Sequence, residues 1–391
     1  MAGLGRKVFN AGEVLSAANV QGYLQDQVVQ VYSGTAARSS ALGTAVSEGM
    51  TSYLTDSNEL SVYTSNGTAA WSPVSMVQSD NAIINGAFDI WQRGTSFASG
   101  GYTADRWLVD YAGGAGTTSQ QTFTPGTAPV AGYEGTYFLR KANTTGAQYS
   151  ALLQRIENVR TFAGQIVTVS FWAKGSNPTG NFEANLIQNF GSGGSSDVPL
   201  TGQAFSVTGS WARYSFTFSV PSISGKTVGT GSYLFLSLYQ AASNTSTSTL
   251  DLWGVQVEAG SVATPFRRNA PSLQGELAAC QRYYQRTGTP GAGWMYAAIA
   301  TARMNSSTSA NAYYPMTVPL RTAPTAVDYS TLALSVSGSS QAVTGIALDN
   351  ISSTNATIVV TCASGSYTTG QIVFLINNNS TSGYLGFSAE L

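Results

Sequence analysis

The chain contains no histidine. That absence removes the commonest general base, the serine- and cysteine-protease dyads, and the most frequent metal ligand. Charge is scarce too: 9% of the 391 residues are charged, against ~25% in ordinary globular domains. Lys and Arg total 18 and Asp and Glu 19, for a net charge of −1. No basic field is available to hold a phosphate backbone, so no nucleic acid is expected as a partner. Cys280 and Cys362 are the only cysteines, and no CxxC occurs. Zinc is therefore out, and two reduced thiols are expected rather than a bridge. The opening MAGLGRKVFNAGEVL lacks the apolar core of a signal peptide. No run of about 18 apolar residues exists, so no membrane insertion is expected.

What is present favours turns and strands. The chain has 42 glycines and is rich in Ser and Thr, and its hydrophobic content of 43% argues against general disorder. Aromatics make up 11%, with 20 Tyr and 7 Trp. Length alone suggests about two to three domains.

Residues 1–35 read as one unit. Ser16 is placed to cap a helix over AANVQGYLQDQVVQVY, and Gly34 to stop it. Val20, Tyr23, Leu24, Val28, Val31 and Tyr32 form a helical stripe. The spacing Val20, Leu24, Gln27, Val31 reads equally as a short coiled-coil seam with one polar layer and as a helix lying on its own domain. Residues 36–79 alternate at Met50, Tyr53, Leu60, Val62, Tyr63 and Trp71, with Asn66-Gly67 as the sharpest turn signal. A β-hairpin unit and linker are expected, too small to hold a core without copies from other chains.

Over residues 80–270 the segments VTVSFWAK (167–174), ARYSFTFSV (212–220) and SYLFLSLYQ (232–240) alternate with period two. A jelly-roll β-sandwich is expected there. Residues 271–290 hold a connecting helix, with Ser272 as cap and Leu273, Leu277, Cys280, Tyr283 and Tyr284 on one face. TGTPGAG (287–293) marks a boundary, and the alternating segments of 291–391 predict a C-terminal β-sandwich ending on YLGFSAEL. The fold class is thus mainly β: N-terminal helix, small hairpin unit, jelly roll, connecting helix, C-terminal sandwich.

Five phrases carry a resemblance. They are NAIINGAFDIWQRGTSF from Asn81, YTADRW to Trp107, QRIENVRTFAGQIVTVSFWAKGS from Gln154, WARYSFTFSVP from Trp211, and LDLWGVQVEAGSVATPFRR from Leu250. In this order they resemble the jelly-roll module of bacteriophage tail-fibre and minor tail proteins, which is similar to carbohydrate-binding modules of families 4 and 9. The first 35 residues resemble the particle-attaching start of phage tail proteins, and residues 36–75 a recurring hairpin of phage fibres. Glu276, Leu277 and Cys280 to Tyr284 match the E-L…C-Q-R-Y-Y that often ends such modules. The ending F-x-A-E-L resembles the terminal domain of several fibre proteins.

The resemblance implies a homotrimeric virion fibre or receptor-binding protein, made in the bacterial cytoplasm. Its N-terminus would join other virion proteins, and its body would meet a host surface glycan or protein. A head fibre or capsid decoration protein is the alternative location, and a fibre-borne glycan depolymerase the enzymatic alternative. Carboxylates are the only acid–base tools, and glycosidases need a pair. Asp89, Asp105, Asp110, Glu134, Glu157, Asp197, Asp251 and Glu258 form no E-x-D or D-x-E cluster, so no catalysis is expected. Related modules often hold a structural Ca²⁺ between first and last strands, and Asn85, Asp89 and Asp251 sit at similar positions. The family has two adjacent acids in the last strand where this chain has Asp251-Leu252. No metal and no cofactor is therefore the expectation, with those three residues as calcium candidates. Trp91, Trp107, Trp172 and Trp253 lie in the motif strands and are expected in the core. Trp294, Tyr313 and Tyr314 fall outside the motifs, near turns, and are the expected contact residues for a host ligand within 294–391.

Overall fold

The computed structural model describes residues 14, 16–17, 20, 28–57, 59–64, 70–74, 81–112, 115–130, 133–143, 149–176, 182–240, 247–288, 295–365 and 367–391. They fall into two compact units, Met1–Gln78 and Ser79–Leu391. Among them no helix is long and apolar enough to cross a membrane.

The smaller unit is a four-stranded sheet, Val29–Tyr32, Thr51–Leu54, Glu59–Thr64 and Ala70–Pro73, in that order. The first pair is parallel and the others antiparallel. Parallel neighbours need a crossover, and the helix Thr35–Leu42 lies on the connection. Two expectations are corrected here. Val29–Tyr32 is a strand, not the end of a helix. Gly34 is the residue before the next helix rather than the stop of the previous one. Val-Gln-Val-Tyr serves either periodicity, and pairing with Thr51–Leu54 decides for the strand. A Cβ at Gly34 would meet Asp56 Oδ2 at 2.4 Å and displace that exposed carboxylate. Arg38 is buried, donates to Ser52 Oγ at 3.0 Å, and stacks over Trp71 at 4.3 Å. Val20 N bonds Ser16 O at 3.0 Å, a helical bond where Ser16 was expected to start one. Of that stripe Tyr23 and Leu24, with Gln27 of the coiled-coil seam, lie outside the described residues, as does Asn66-Gly67.

The larger unit begins with a β-sandwich. One sheet runs Val198–Pro199, Phe182–Asn189, Tyr233–Gln240, Tyr149–Glu157, Leu108–Ala112, Gly101–Tyr102, with Gln203–Phe205 also on Phe182–Asn189. The other runs Ala212–Ser219, Ile166–Ser176, Ser248–Ala259, Tyr137–Asn143, Gly116–Thr122, Ser96–Phe97. The expected alternation sets the core. Phe182, Ala184 and Leu186 face it from one strand, and Leu234, Leu236 and Leu238 from its neighbour. Each Phe or Leu so buried contributes roughly 1.5–3 kcal/mol. Ser248–Ala259 is buried on both faces. Its outer side is covered by an aromatic cluster of Phe123, Phe138, Trp172, Trp253 and Phe266. Trp107 and Trp253 are fully buried and Trp172 nearly so, while Trp91 is half-buried against the core.

The helix Leu273–Gln281 follows, its cap made by Ser272 Oγ accepting from Gly275 N at 3.1 Å. Its buried residues are Glu276 and Cys280, whereas Leu273 is exposed. The expected apolar face is corrected at that point. Tyr284–Gly288 continues as a strand beside Tyr384–Ser388, which pairs with Ala326–Ser330. The C-terminal sandwich takes the form of this three-stranded sheet packed on a closed barrel. The barrel order is Ala298–Met304, Ser309–Pro315, Asn355–Cys362, Ser339–Ile351, Leu332–Val336, Ile372–Asn377. The terminal segment YLGFS is paired on both edges, as its alternation predicts.

Sandwich and C-terminal part meet in a polar joint built from the motif residues. Asn85 adopts φ 59°. Its side chain accepts from Ile90 N at 3.0 Å and donates to Ile90 O at 2.8 Å and Asp105 O at 3.1 Å. Gln92 reaches Tyr284 O at 2.8 Å, and its backbone N donates to Asp105 Oδ1 at 2.8 Å. Arg106 is ion-paired with Glu390, donates to Arg155 O at 2.7 Å, and lies over Tyr283 at 3.5 Å. Arg93 lies 3.4 Å from Glu390 and 3.5 Å over Tyr284. Tyr102 and Arg155 both donate to Leu391 O. Isolated charges in such a place are costly, and here each has a partner.

Candidate functional site

The barrel wall made by Ile372–Asn377, Ala298–Met304 and Ser309–Pro315 carries a trough of about 570 Å³. Its lining is Ala298, Ile299, Ala300, Thr301, Tyr313, Tyr314, Pro315 and Phe374. Register explains which side chains reach it. Phe374 pairs with Thr301, Ala312 pairs with Ala302, and Tyr313 pairs with Thr357. Side chains alternate along a strand. Val373 and Leu375 therefore fill the core, while Phe374 stands outward at 49% exposure and Tyr313 at 59%. Phe374, Thr301, Tyr313 and Thr357 then form a transverse row on four neighbouring strands. Among the described residues, none that lines the trough is charged. Arg303 lies one row away, paired with Ile372.

Of the expected contact residues, Tyr313 and Tyr314 both reach this trough. Their roles differ, because neighbours on a strand face opposite ways. Tyr314 is half-buried, with its ring 4.9 Å from Phe387. Burial pushes its phenol above the ordinary value, against a hydrogen bond with Thr287. Trp294 lies outside the described residues. Phe374 was not singled out from the sequence. QIVFLINN is apolar at successive positions, so period two cannot say which set faces out. The pairing of Phe374 with Thr301 decides it.

The calcium candidates are not brought together as a ligand set. The Asn85 side chain is committed to Ile90 and Asp105. Asp89 pairs with Arg268 at 2.8 Å, and desolvation pushes its carboxyl up despite that partner. Asp251 is clasped by Arg140 through two bonds of 2.6 and 2.7 Å, with Lys174 at 3.8 Å. Among the described residues no group of three or more His, Cys, Asp or Glu side chains forms a metal site. Two further sandwich carboxylates are occupied in similar ways. Glu157 holds Arg282 and Tyr283, and Glu258 holds Thr264 and Gln256. Asp105 and Glu276 have raised pKa values, burial outweighing their donors.

A second polar feature lies between the sheets at one end of the sandwich. Lys141 is buried in a layer with Asn143, Ser150, Gln240 and Ser248. Its ammonium has no carboxylate partner among the described residues, and burial lowers its pKa to about 7. The sequence offered no signal for it, since RKAN reads as an ordinary exposed strand end.

A family model described as a carbohydrate binding domain, of families 4 and 9, matches residues 112–230. No curated protein sequence matches the chain. Similar solved structures include the enzymatically active domain of tailspike protein 4 of bacteriophage CBA120. It shows 15% identity over 46% of this chain and 21% of that one, with a TM-score of 0.31. The chain thus spans about a fifth of that tailspike. Another is the N-terminal cellulose-binding domain of β-1,4-glucanase C of Cellulomonas fimi, 14% identical over 44% of this chain and 97% of that one, TM-score 0.28. A third is a Stig cyclase of Fischerella, 12% identical over 48% and 100%, TM-score 0.34. The residues matched by the carbohydrate-binding family model lie within the β-sandwich of two antiparallel sheets.

Proposed function

We propose that the chain is a glycan-binding attachment protein of a bacteriophage particle, a homotrimer that binds without cutting. The observation carrying this reading is the carbohydrate-binding match at 112–230, which lies within the sandwich. The resemblance of the first 75 residues to tail-fibre starts supports docking to other virion proteins through that end. A non-catalytic role is supported by the carboxylates, which are held by arginines, backbone amides and hydroxyls rather than paired across a cleft. No metal or cofactor enters the proposal.

Full-length protein is expected to co-sediment with some strains in a bacterial panel. Purified surface polysaccharide from those same strains should release it. Binding that ignores the polysaccharide but is lost after protease treatment of the cells would replace the glycan by a protein receptor. Release of reducing ends from the polysaccharide would turn the reading to a depolymerase.

A further inference from the structure

We infer that the barrel wall, not the sandwich alone, is a ligand platform, and that it takes an uncharged saccharide chain laid across the strands over Phe374 and Tyr313. The inference rests on the glycan-binding reading and names the place and the ligand class. The wall lies outside the region 112–230 that matches the carbohydrate-binding family.

The chemistry follows from the row. Phe374 and Tyr313 stand on strands separated by Ala298–Met304. Neighbouring strands lie about 4.8 Å apart, so the two rings are roughly 10 Å apart. A saccharide chain crossing the strands can rest one sugar on each ring. The C–H faces of a pyranose suit the ring faces, and aromatic side chains bring contact area at small entropic cost. Thr301 lies between the rings and Thr357 beyond Tyr313, so hydroxyl groups alternate with rings along the path. The floor beside Thr301 is Ala298 and Ala300, low enough for a ligand to settle. None of the described residues that line the trough is charged, so an acidic sugar would gain no ion pair from them and would still lose hydration.

A second copy is the other occupant such a wall can take. The alternation of ring and hydroxyl argues against it, because the centre of a subunit interface is closed and mainly apolar. In a trimer three such walls would act together, so a weak single site suffices.

The test uses the full-length protein and affinity electrophoresis through dextran, laminarin or galactomannan, with alginate and polygalacturonate as acidic probes. Retardation by at least one neutral probe and by neither acidic one is expected. Tyr313→Ala and Phe374→Ala should each weaken retardation about tenfold, and Tyr313→Phe should retain it. Melting temperature and sedimentation should match those of the parent.

Four results would overturn the inference. Undiminished retardation of the Tyr313→Ala/Phe374→Ala double variant would move the site elsewhere and leave glycan binding standing. A preference for the acidic probes would overturn the ligand class and point to Arg303. Dissociation of the oligomer in the double variant would make the wall a subunit interface. Retardation by no probe, together with no displacement from cells by polysaccharide, would sink the glycan reading itself.

Discussion

The joint and the barrel wall are both built from β-structure of one compact unit, yet they treat polar and aromatic groups in opposite ways. In the joint, charge is buried and the charged side chains are set against partners: Arg106 against Glu390 and Tyr283, Arg93 against Tyr284, Glu276 against the amides of Asn85 and Ala270. In the trough on the wall, none of the described lining residues is charged, and two large rings are left open beside threonines. A buried charge without its partner is expensive, so joint residues determine each other's identity. Exposed rings are tolerated by the fold and free to serve a ligand. Among the motif residues, Asn85, Gln92, Arg93, Asp105, Arg106, Tyr283 and Tyr284 lie in the joint, whereas Ile166–Ser176, Ala212–Ser219 and Ser248–Ala259 are strands of the sandwich.

That contrast predicts an order of effects. Glu390→Gln keeps the shape of the side chain but leaves the Arg106 guanidinium buried without its counter-charge. A loss of about 3–5 kcal/mol is expected in denaturant unfolding. A loss below about 1 kcal/mol would mean that the joint is a loose contact, and the comparison would fail.

The next effect is pH-dependent. Lys141 titrates near its ordinary value of 10.5 when unfolded and at about 7 in the fold. Between those values the unfolded chain binds the extra proton, so stability rises with pH. The burial cost is felt in full below the folded value and is relieved above it. From pH 7 to 9 the gain should be about 2 kcal/mol, because at pH 7 about half of the folded lysines have already lost the proton. The Cys280 thiol, whose pKa is raised by burial, opposes the trend once an unfolded thiol ionises. Lys141→Met should abolish the slope. Equal slopes in the two proteins would show that Lys141 is not the titrating group.

Smaller changes should follow elsewhere. Ser272→Ala removes the acceptor for Gly275 N and should cost about 1 kcal/mol. Tyr313→Ala and Phe374→Ala should each change stability by less than about 0.5 kcal/mol while weakening saccharide binding. A large stability loss on the wall would place its rings among the groups that hold the fold.

Much of the strand content was legible because alternation has a period of two and leaves a mark in any half-buried strand. The segment 167–174, the capped helix from Ser272 and the closing YLGFS all follow from local pattern. Val29–Tyr32 did not, because four residues satisfy either periodicity and its partner lies across a helix. Leu273 was expected inward and stands exposed, while Glu276 is drawn inside by the amides of Asn85 and Ala270. The exposed tyrosine of the candidate site was visible in the sequence; its aromatic counterpart Phe374 was hidden in a run apolar on both faces.

The sequence by itself determined the class of structure: mainly β, poor in charge, lacking histidine chemistry, with a sandwich over its middle. These follow from composition and short-range periodicity, which act before any strand has found its partner. Only the tertiary structure decided that Glu390 closes on Arg106, that Lys141 is sealed in without a carboxylate partner among the described residues, and that Phe374 and Tyr313 stand on an open wall with one strand between them. Each depends on pairing between segments distant in the chain. Register there is set by which faces must be buried together, and no local pattern encodes that choice.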